Sequence, residues 1–437
     1  MRLLEPITMG GVTFKNRVML APLTTGYEAP DGSISAQSLA FYTRLAQGGV
    51  GYIVLGDVAP IRSFTPTPKL FDHSQTASLR VLADSVHAYG AKLGVQIFHP
   101  EYDSDAINAL FAKGDDAAVR TRLQHDMRCF VDEVSEAGLL QIADKMVACA
   151  VLAQQAGVDV IQVHGDRLLG ALCSRTMNHR RDQFGGSLEN RTRFALIVVR
   201  ALKQALPTMV IDYKLPVVTE TRGKGGVDEA EAPQFARWLQ DAGAHMLHVA
   251  QANHTGALAD TIPPMGVQPY GFFADQAAAV KQAVSIPVST VGRIIDPVMA
   301  EDLLQRGKAD LIGLGRALLA DPDWVKKASL GKACDIRRCI SCNEGCVDRV
   351  QLRSFIACVL NPENGHEQTR SITPAIQRKR VVVIGGGPAG LEAARVAAQK
   401  GHSVTLLEQS TALGGQLLLA QQPPSQHVSR VSYWMSF

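Results

Sequence analysis

Four cysteines crowd into one short stretch, Cys339-Ile-Ser-Cys342-Asn-Glu-Gly-Cys346 followed by Cys358. Four soft thiolates are enough to close one all-thiolate metal site. Zinc ribbons use the same ligands but pair two CxxC knuckles, whereas here a three-cysteine run precedes a single distant cysteine. That pattern favours an iron–sulfur cluster over zinc. The remaining cysteines, Cys129, Cys149, Cys173 and Cys334, are scattered and read as core or surface residues. A second chemical signature follows at Val381-Val382-Val383-Ile384-Gly385-Gly386-Gly387-Pro388-Ala389-Gly390. An apolar strand runs into a GxGxxG turn, with Gly385, Gly387 and Gly390 in the glycine positions, and a helix then points its N-terminal amides at a pyrophosphate. A second strand ends in Glu408, placed to hold a ribose hydroxyl, and Leu413-Gly414-Gly415-Gln416 has the flavin form of the motif, so FAD is favoured over NAD.

Something must position these groups, and the rest of the chain has a regular rhythm. From Met1 to about Leu330, short β-branched runs alternate with amphipathic helical stretches. Strands are expected at Val18–Ala21, Gly51–Val58, Lys92–Phe98, Val158–His164, Val210–Leu215, Met246–Ala250, Pro287–Val291 and Leu311–Gly313. Eight consecutive βα units predict an α/β chain built on a (β/α)8 TIM barrel. Leu3–Ile7 and Val12–Phe14, around Gly10-Gly11, read as a hairpin closing the barrel floor. Residues 101–137 are long and charged for a βα loop and are expected to form a lid or capping insertion. The expected organisation is a barrel over 1–330, a cysteine segment and linker over 331–372, and an incomplete dinucleotide-binding domain over 380–437. A lone βαβ start cannot bury both faces of a parallel sheet, so tight FAD binding there requires the rest of the sheet from elsewhere, and the ending reads as a truncation or frame shift.

Barrel sites assemble at the C-terminal ends of the strands. There the sequence places Ala21-Pro22-Leu23-Thr24, Ala59, Gln96, His99, His164, Arg167, Lys214, Gln251, His254, Gly292-Arg293 and Gly315-Arg316. The two Gly-Arg pairs follow the seventh and eighth strands, where such barrels bind phosphate through backbone amides and a cation. Gln96 suits the edge of a flavin or pyridine ring. Lys214 suits negative charge on a reduced isoalloxazine, and an unpaired lysine inside a barrel is costly enough to favour that role over a plain core position.

Composition narrows the classes. At 437 residues the chain exceeds the ~250–300 at which a single core stops growing, so at least two domains are expected. With 46% hydrophobic and 19% charged residues it can bury large cores, and a formal net charge of +3 leaves no footprint for nucleic acid. No stretch approaches a membrane span or a signal peptide, and the cysteine usage fits a reducing compartment, so a cytoplasmic location is expected.

These residues together resemble the old yellow enzyme family, in its multidomain branch of 2,4-dienoyl-CoA reductases, 2-enoate reductases and bile-acid oxidoreductases. The matching stretches include Leu4-Glu5-Pro6-Ile7, Lys15-Asn16-Arg17, Ala21-Pro22, Asn178 to Asp182, Phe184 to Arg191, Gly315 to Pro322, the cysteine quartet and the flavin glycines. The resemblance implies a barrel-bound FMN, a 4Fe–4S cluster on the four cysteines, and an FAD segment taking electrons from NAD(P)H. Reduced FMN would then deliver hydride to the β-carbon of an activated alkene, with a proton to the α-carbon.

Two departures bear on the substrate. After His164 those reductases continue with a second His or Asn and a catalytic tyrosine, whereas this chain reads His164-Gly165-Asp166-Arg167-Leu168-Leu169. Ile97-Phe98-His99-Pro100-Glu101 likewise replaces their common His-Ala-Gly-Arg. Arg167 offers a fork for a substrate carboxylate, so a free 2-enoate of the cinnamate type is expected ahead of an enoyl-CoA, dienoyl-CoA or bile-acid thioester. His164 is expected to hold the electron-withdrawing group, His254 to donate the proton, and Tyr27 to stand in reserve. An amine dehydrogenase needs an aromatic cage and finds no tryptophan at a strand end, and an inactive electron-transfer fragment is a further alternative. A homo-oligomer and an external electron donor are also admitted.

Overall fold

The computed structural model describes residues 1–63, 67–219, 224–252, 261–352 and 354–420. Near the start, β1 (Ile7–Met9) and β2 (Val12–Phe14) form an antiparallel hairpin through Gly10-Gly11, both at positive φ. The first arm therefore begins at Ile7 rather than at Leu3. Arg2–Leu4 is a 3-10 turn whose Arg2 and Leu3 amides donate to the Glu301 carboxylate, and Pro6 has no N–H to give a ladder.

Eight parallel strands close the barrel: β3 (Val18–Leu20), β4 (Tyr52–Val58), β5 (Lys92–Ile97), β6 (Val160–His164), β7 (Val210–Val218), β9 (Met246–Gln251), β10 (Val288–Thr290) and β11 (Leu311–Leu314). Each pairs with the next and β11 returns to β3, while the two-residue β8 (Val227–Asp228) hangs on the end of β7. The strands are buried on both faces, as a sheet wrapped by helices requires. Inside, Met19, Tyr52, Val54, Val160, Val210, Met246 and Leu311 pack with Met9 and Phe14 of the hairpin, which plugs the floor. Phe14 meets Tyr52 edge to face at 5.2 Å.

The surrounding helices start where their caps dictate. Ser35, Ser135, Ser187 and Asp296 each accept a backbone N–H of the first helical turn, ahead of Ala36–Gln47, Glu136–Gln155, Leu188–Ala205 and Pro297–Gln305. The stretch 101–137 contains two helices, Ser104–Ala112 and Asp116–Glu133. Buried Asp126 ties them together by accepting from the Asp103 amide at 3.0 Å and from Arg122 Nε at 2.6 Å.

Beyond the barrel, the cysteine segment leads to β12 (Arg380–Ile384), the helix Pro388–Gln399 and the parallel β13 (Ser403–Leu407). Their apolar side chains are only partly covered: Ile384 is 85% exposed and Val382 61%. Among the described residues no helix is long and apolar enough to cross a membrane.

Candidate flavin and substrate site

Register decides which side chains meet inside the barrel. Gln96 stands beside Gln162, and Gln162 beside Asp212. One step nearer the mouth, His164 stands beside Lys214 and Lys214 beside His248. The deeper row is a chain of hydrogen bonds. Gln96 Nε2 donates to Gln162 Oε1 at 2.6 Å, Gln162 Nε2 to Asp212 Oδ2 at 2.5 Å, and the Tyr52 hydroxyl to the same oxygen at 3.3 Å. Asp212 Oδ1 has no partner among the described residues, and burial pushes its carboxyl up to about 7 against the pull of Gln162 and Tyr52. His248 is neutral, held down to about 3 by burial and by Lys214.

The upper row has its own logic. The Asp166 amide donates to His164 Nδ1 at 3.1 Å, so the imidazole proton sits on Nε2, which faces Asp57 Oδ1 at 3.4 Å. Burial and Lys214 lower the His164 pKa while Asp57 opposes them. Burial alone would raise Asp57, but His164, Arg167 and the Thr24 hydroxyl outweigh it and hold the carboxyl well below the usual range. At neutral pH the pair is therefore an aspartate beside a neutral histidine. Lys214 is not unpaired, contrary to the expectation from sequence: its Nζ lies 3.4 Å from Asp166 Oδ2.

Arg167 is exposed at the rim, with φ 57°, and opens the short helix Leu168–Cys173. Among the described residues, the other non-glycine positions at positive φ are Asp57, Arg293, Ser341 and Asn343. Three of the five follow or end barrel strands and two lie in the cysteine loop, the distribution expected when backbone strain accompanies a site. Gly165 is needed where it stands, because a Cβ there would lie 2.2 Å from the Lys214 carbonyl oxygen.

The other expected positions fare unevenly. Ala21 and Pro22 follow β3, the Ala21 amide donating to Leu314 O at 3.0 Å, with Leu23 and the Asp57-bound Thr24 next. At Ala59 the N–H donates to Pro68 O and the carbonyl accepts from the Leu70 amide. Tyr27 is buried against Phe41 and Phe355, its hydroxyl donates to Ile356 O at 2.5 Å, and burial raises its pKa. His254 lies outside the described residues. His99 is buried, with Nδ1 on Pro100 O at 2.9 Å, and burial lowers it to about 4.

Gly292 and Arg293 follow β10. The Arg293 guanidinium lies 4.5 Å over the Tyr270 ring and donates to Gln268 O, leaving its buried Nε without a partner among the described residues. That orphan donor suits an anion at the strand ends. Gly315 caps the helix Arg316–Ala320, while Arg316 Nη1 donates to Pro263 O at 3.0 Å and Asn343 Oδ1 at 2.6 Å. Arg316 thereby joins the barrel mouth to the cysteine loop.

Cys339, Cys342, Cys346 and Cys358 line a single cavity with Arg316, Leu319, Ile340 and Asn343. The Ser341 amide donates to Cys339 Sγ at 3.3 Å. In the glycine turn, Gly387 caps the helix Pro388–Gln399, and a Cβ on Gly390 would lie 1.8 Å from Gly385 O. Glu408 closes the turn by accepting from the Gly386 amide at 2.6 Å and the Ser410 amide at 2.8 Å, and Gln416 is exposed just beyond it.

Asp57, Gln162, Asp212 and His248 were missed at the sequence level. For Gln162, Asp212 and His248 a signal was available: polar residues alternating inside otherwise apolar strands, at Ile161-Gln162-Val163-His164, Ile211-Asp212-Tyr213-Lys214 and Leu247-His248-Val249.

A closed parallel barrel whose mouth gathers Gln96, His164, Lys214 and Arg293, followed by a four-cysteine cavity and a dinucleotide-type glycine turn, defines a flavin-dependent oxidoreductase. Residues 2–334 match NADH:flavin oxidoreductase / NADH oxidase, and the chain belongs to that family. Residues 380–429 match the FAD dependent oxidoreductase family. A bilirubin reductase of Mediterraneibacter gnavus is 57% identical over 97% of this chain and 66% of its own length. A cinnamate reductase of Clostridium sporogenes is 32% identical over 95% of this chain and 66% of its own. The chain thus spans about two thirds of these relatives. The solved 2-naphthoyl-CoA reductase complex superposes with a TM-score of 0.87 over 100% of this chain and 69% of that one, at 23% identity, a likeness of fold.

Proposed function

We propose that the barrel binds FMN at its mouth and reduces a conjugated C=C bond in a substrate that carries a free carboxylate, bilirubin foremost. The 57% identity with a bilirubin reductase, sustained over 97% of the chain, carries this reading. Bilirubin is an open-chain tetrapyrrole with methine C=C bonds and two propionates, and Arg167, exposed at the rim beside His164, supplies a cation for one of them. The cinnamate-type 2-enoate expected from the sequence is the second reading, favoured by the cinnamate reductase relative.

The residues fit the groups the reading requires. Gln96 and Lys214 meet a ring edge, and the orphan Arg293 Nε with the Gly292 and Gly315 turns receives a phosphate. The cysteine cavity favours an iron–sulfur cluster over zinc. A three-cysteine run with one distant cysteine, all four lining one cavity, is the ligand pattern of a cluster rather than of paired zinc knuckles. Bound flavins and a 4Fe–4S cluster would supply the redox chemistry, passing electrons from NAD(P)H to the alkene, with the Gly385–Gly390 turn and Glu408 holding FAD.

His164 lines the site in one fixed orientation. With Nδ1 occupied by the Asp166 amide and Nε2 turned to Asp57, the imidazole is a fixed neutral wall of the site. Lys214, braced by Asp166, keeps positive charge where a reduced ring accumulates negative charge.

The test is anaerobic turnover with an artificial reductant, offering bilirubin and cinnamate separately and reading products by mass. Addition of 2 H per reduced bond to bilirubin supports the first reading, and to cinnamate alone the second. A flavin-loaded protein that reduces neither overturns both.

A further inference from the structure

The helix Asp116–Glu133 carries a cluster with no part in the chemistry above. His125, Cys129 and Glu133 recur every four residues, so they lie along one stripe of the helix. Their ligand atoms are all within 4.8 Å of one another, and His125 Nε2 lies 2.9 Å from Glu133 Oε2. We propose that this stripe is a divalent transition-metal site of the zinc type.

An imidazole nitrogen, a thiolate and a carboxylate oxygen are a ligand set for borderline-soft Zn2+, leaving the fourth tetrahedral position to water. Bonds of about 2.0–2.3 Å place such ligands between three and four ångströms apart, so small side-chain rotations bring this trio onto one ion. Binding breaks the His125–Glu133 contact, turns both groups to the metal and releases the Cys129 thiol proton to solvent. The frame is present without metal. Asp115 caps the helix by accepting from the Ala118 amide, and the Arg122–Asp126 pair braces the adjoining stripe of the same helix.

The last turn is also latched to the segment beyond the Arg167 helix. Asp132 accepts from the His179 amide at 2.8 Å, and Arg180 Nη1 donates to Val131 O and Val134 O. An ion on the stripe therefore stiffens the insertion at the point where it grips the site side of the barrel.

The experiment titrates the full-length, iron-loaded protein anaerobically with Zn2+ by calorimetry, counts zinc after dialysis, and maps iodoacetamide labelling of cysteines. Wild type is expected to take one Zn2+ that shields Cys129, while exposed Cys334 stays reactive as the internal control. Cys129→Ser and His125→Ala are expected to weaken binding at least about tenfold, the lower end of what lost coordination support costs a metal site, with iron and flavin content unchanged. Equal uptake by wild type and Cys129→Ser, or labelling of Cys129 that zinc does not slow, overturns the site.

Discussion

Gln162 donates its side-chain amide to Asp212 Oδ2 at 2.5 Å, and this one bond orients a file of side chains across the barrel interior. Because Gln162 spends its NH2 on the carboxyl, its Oε1 must accept, and Gln96 must in turn donate, at 2.6 Å. The Gln96 carbonyl is thereby left as an acceptor, reached by the Asp57 amide at 3.4 Å. A buried carboxyl two side chains away sets what Gln96 offers at the mouth.

That carboxyl leaves a signature in stability. Burial raises Asp212 to about 7, so the folded chain binds its proton more tightly than the unfolded chain, whose pKa is ~3.9. Its contribution is full below about 4 and is lost as pH rises to about 7, a window of order 4 kcal/mol at ~1.4 kcal/mol per pH unit. Asp212→Asn removes the titration. Thermal unfolding of the variant is expected to gain on wild type steadily from about pH 5 to about pH 7, and parallel melting curves across that range would contradict the assignment.

Asp57 predicts the opposite slope. Its depressed pKa contributes stability above the ordinary carboxylate range, lost as pH falls through it. Asp57→Asn should cost about 1.5–3 kcal/mol at pH 7, the worth of hydrogen bonds to a charged group, and the difference should shrink below pH 4. With the anion gone, the His164 imidazole should titrate still lower by NMR. An unchanged His164 titration would break the link.

These two aspartates also mark the limit of what the chain reveals unfolded. The barrel was legible because parallel strands buried on both faces read as apolar runs, and their ends were found within a few residues. The cysteine and glycine motifs were legible because their chemistry is local in sequence. The hydrogen-bond partner of Tyr27 could not be read, because Ile356 O is 329 residues away. Asp57 was invisible because its importance comes from a positive φ and from His164 on another strand. Lys214 looked unpaired because Asp166 reaches it only once β6 and β7 align.

Arg167 offers a sharper test of substrate class. If its guanidinium receives a carboxylate, Arg167→Ala should raise KM for a free acid about 10–100-fold, matching a lost charge-assisted contact of about 1.5–3 kcal/mol. The effect on kcat should be smaller, and Arg167→Lys should recover only part. A methyl ester or thioester of the same acid should be indifferent to the change. Equal losses for acid and ester would move Arg167 from recognition to structure.

The cysteine cavity predicts what the purified chain contains. If Cys339, Cys342, Cys346 and Cys358 hold a 4Fe–4S cluster, anaerobic protein should carry four irons and four sulfides per chain alongside one FMN, and Cys346→Ser should lose iron while the barrel keeps its flavin. Zinc in place of iron would return the site to a structural four-thiolate centre. The glycine turn predicts FAD in the same sample, held by Gly385–Gly390 and Glu408. FAD at one per chain would show that the Gly385–Gly390 turn and Glu408 suffice to hold it.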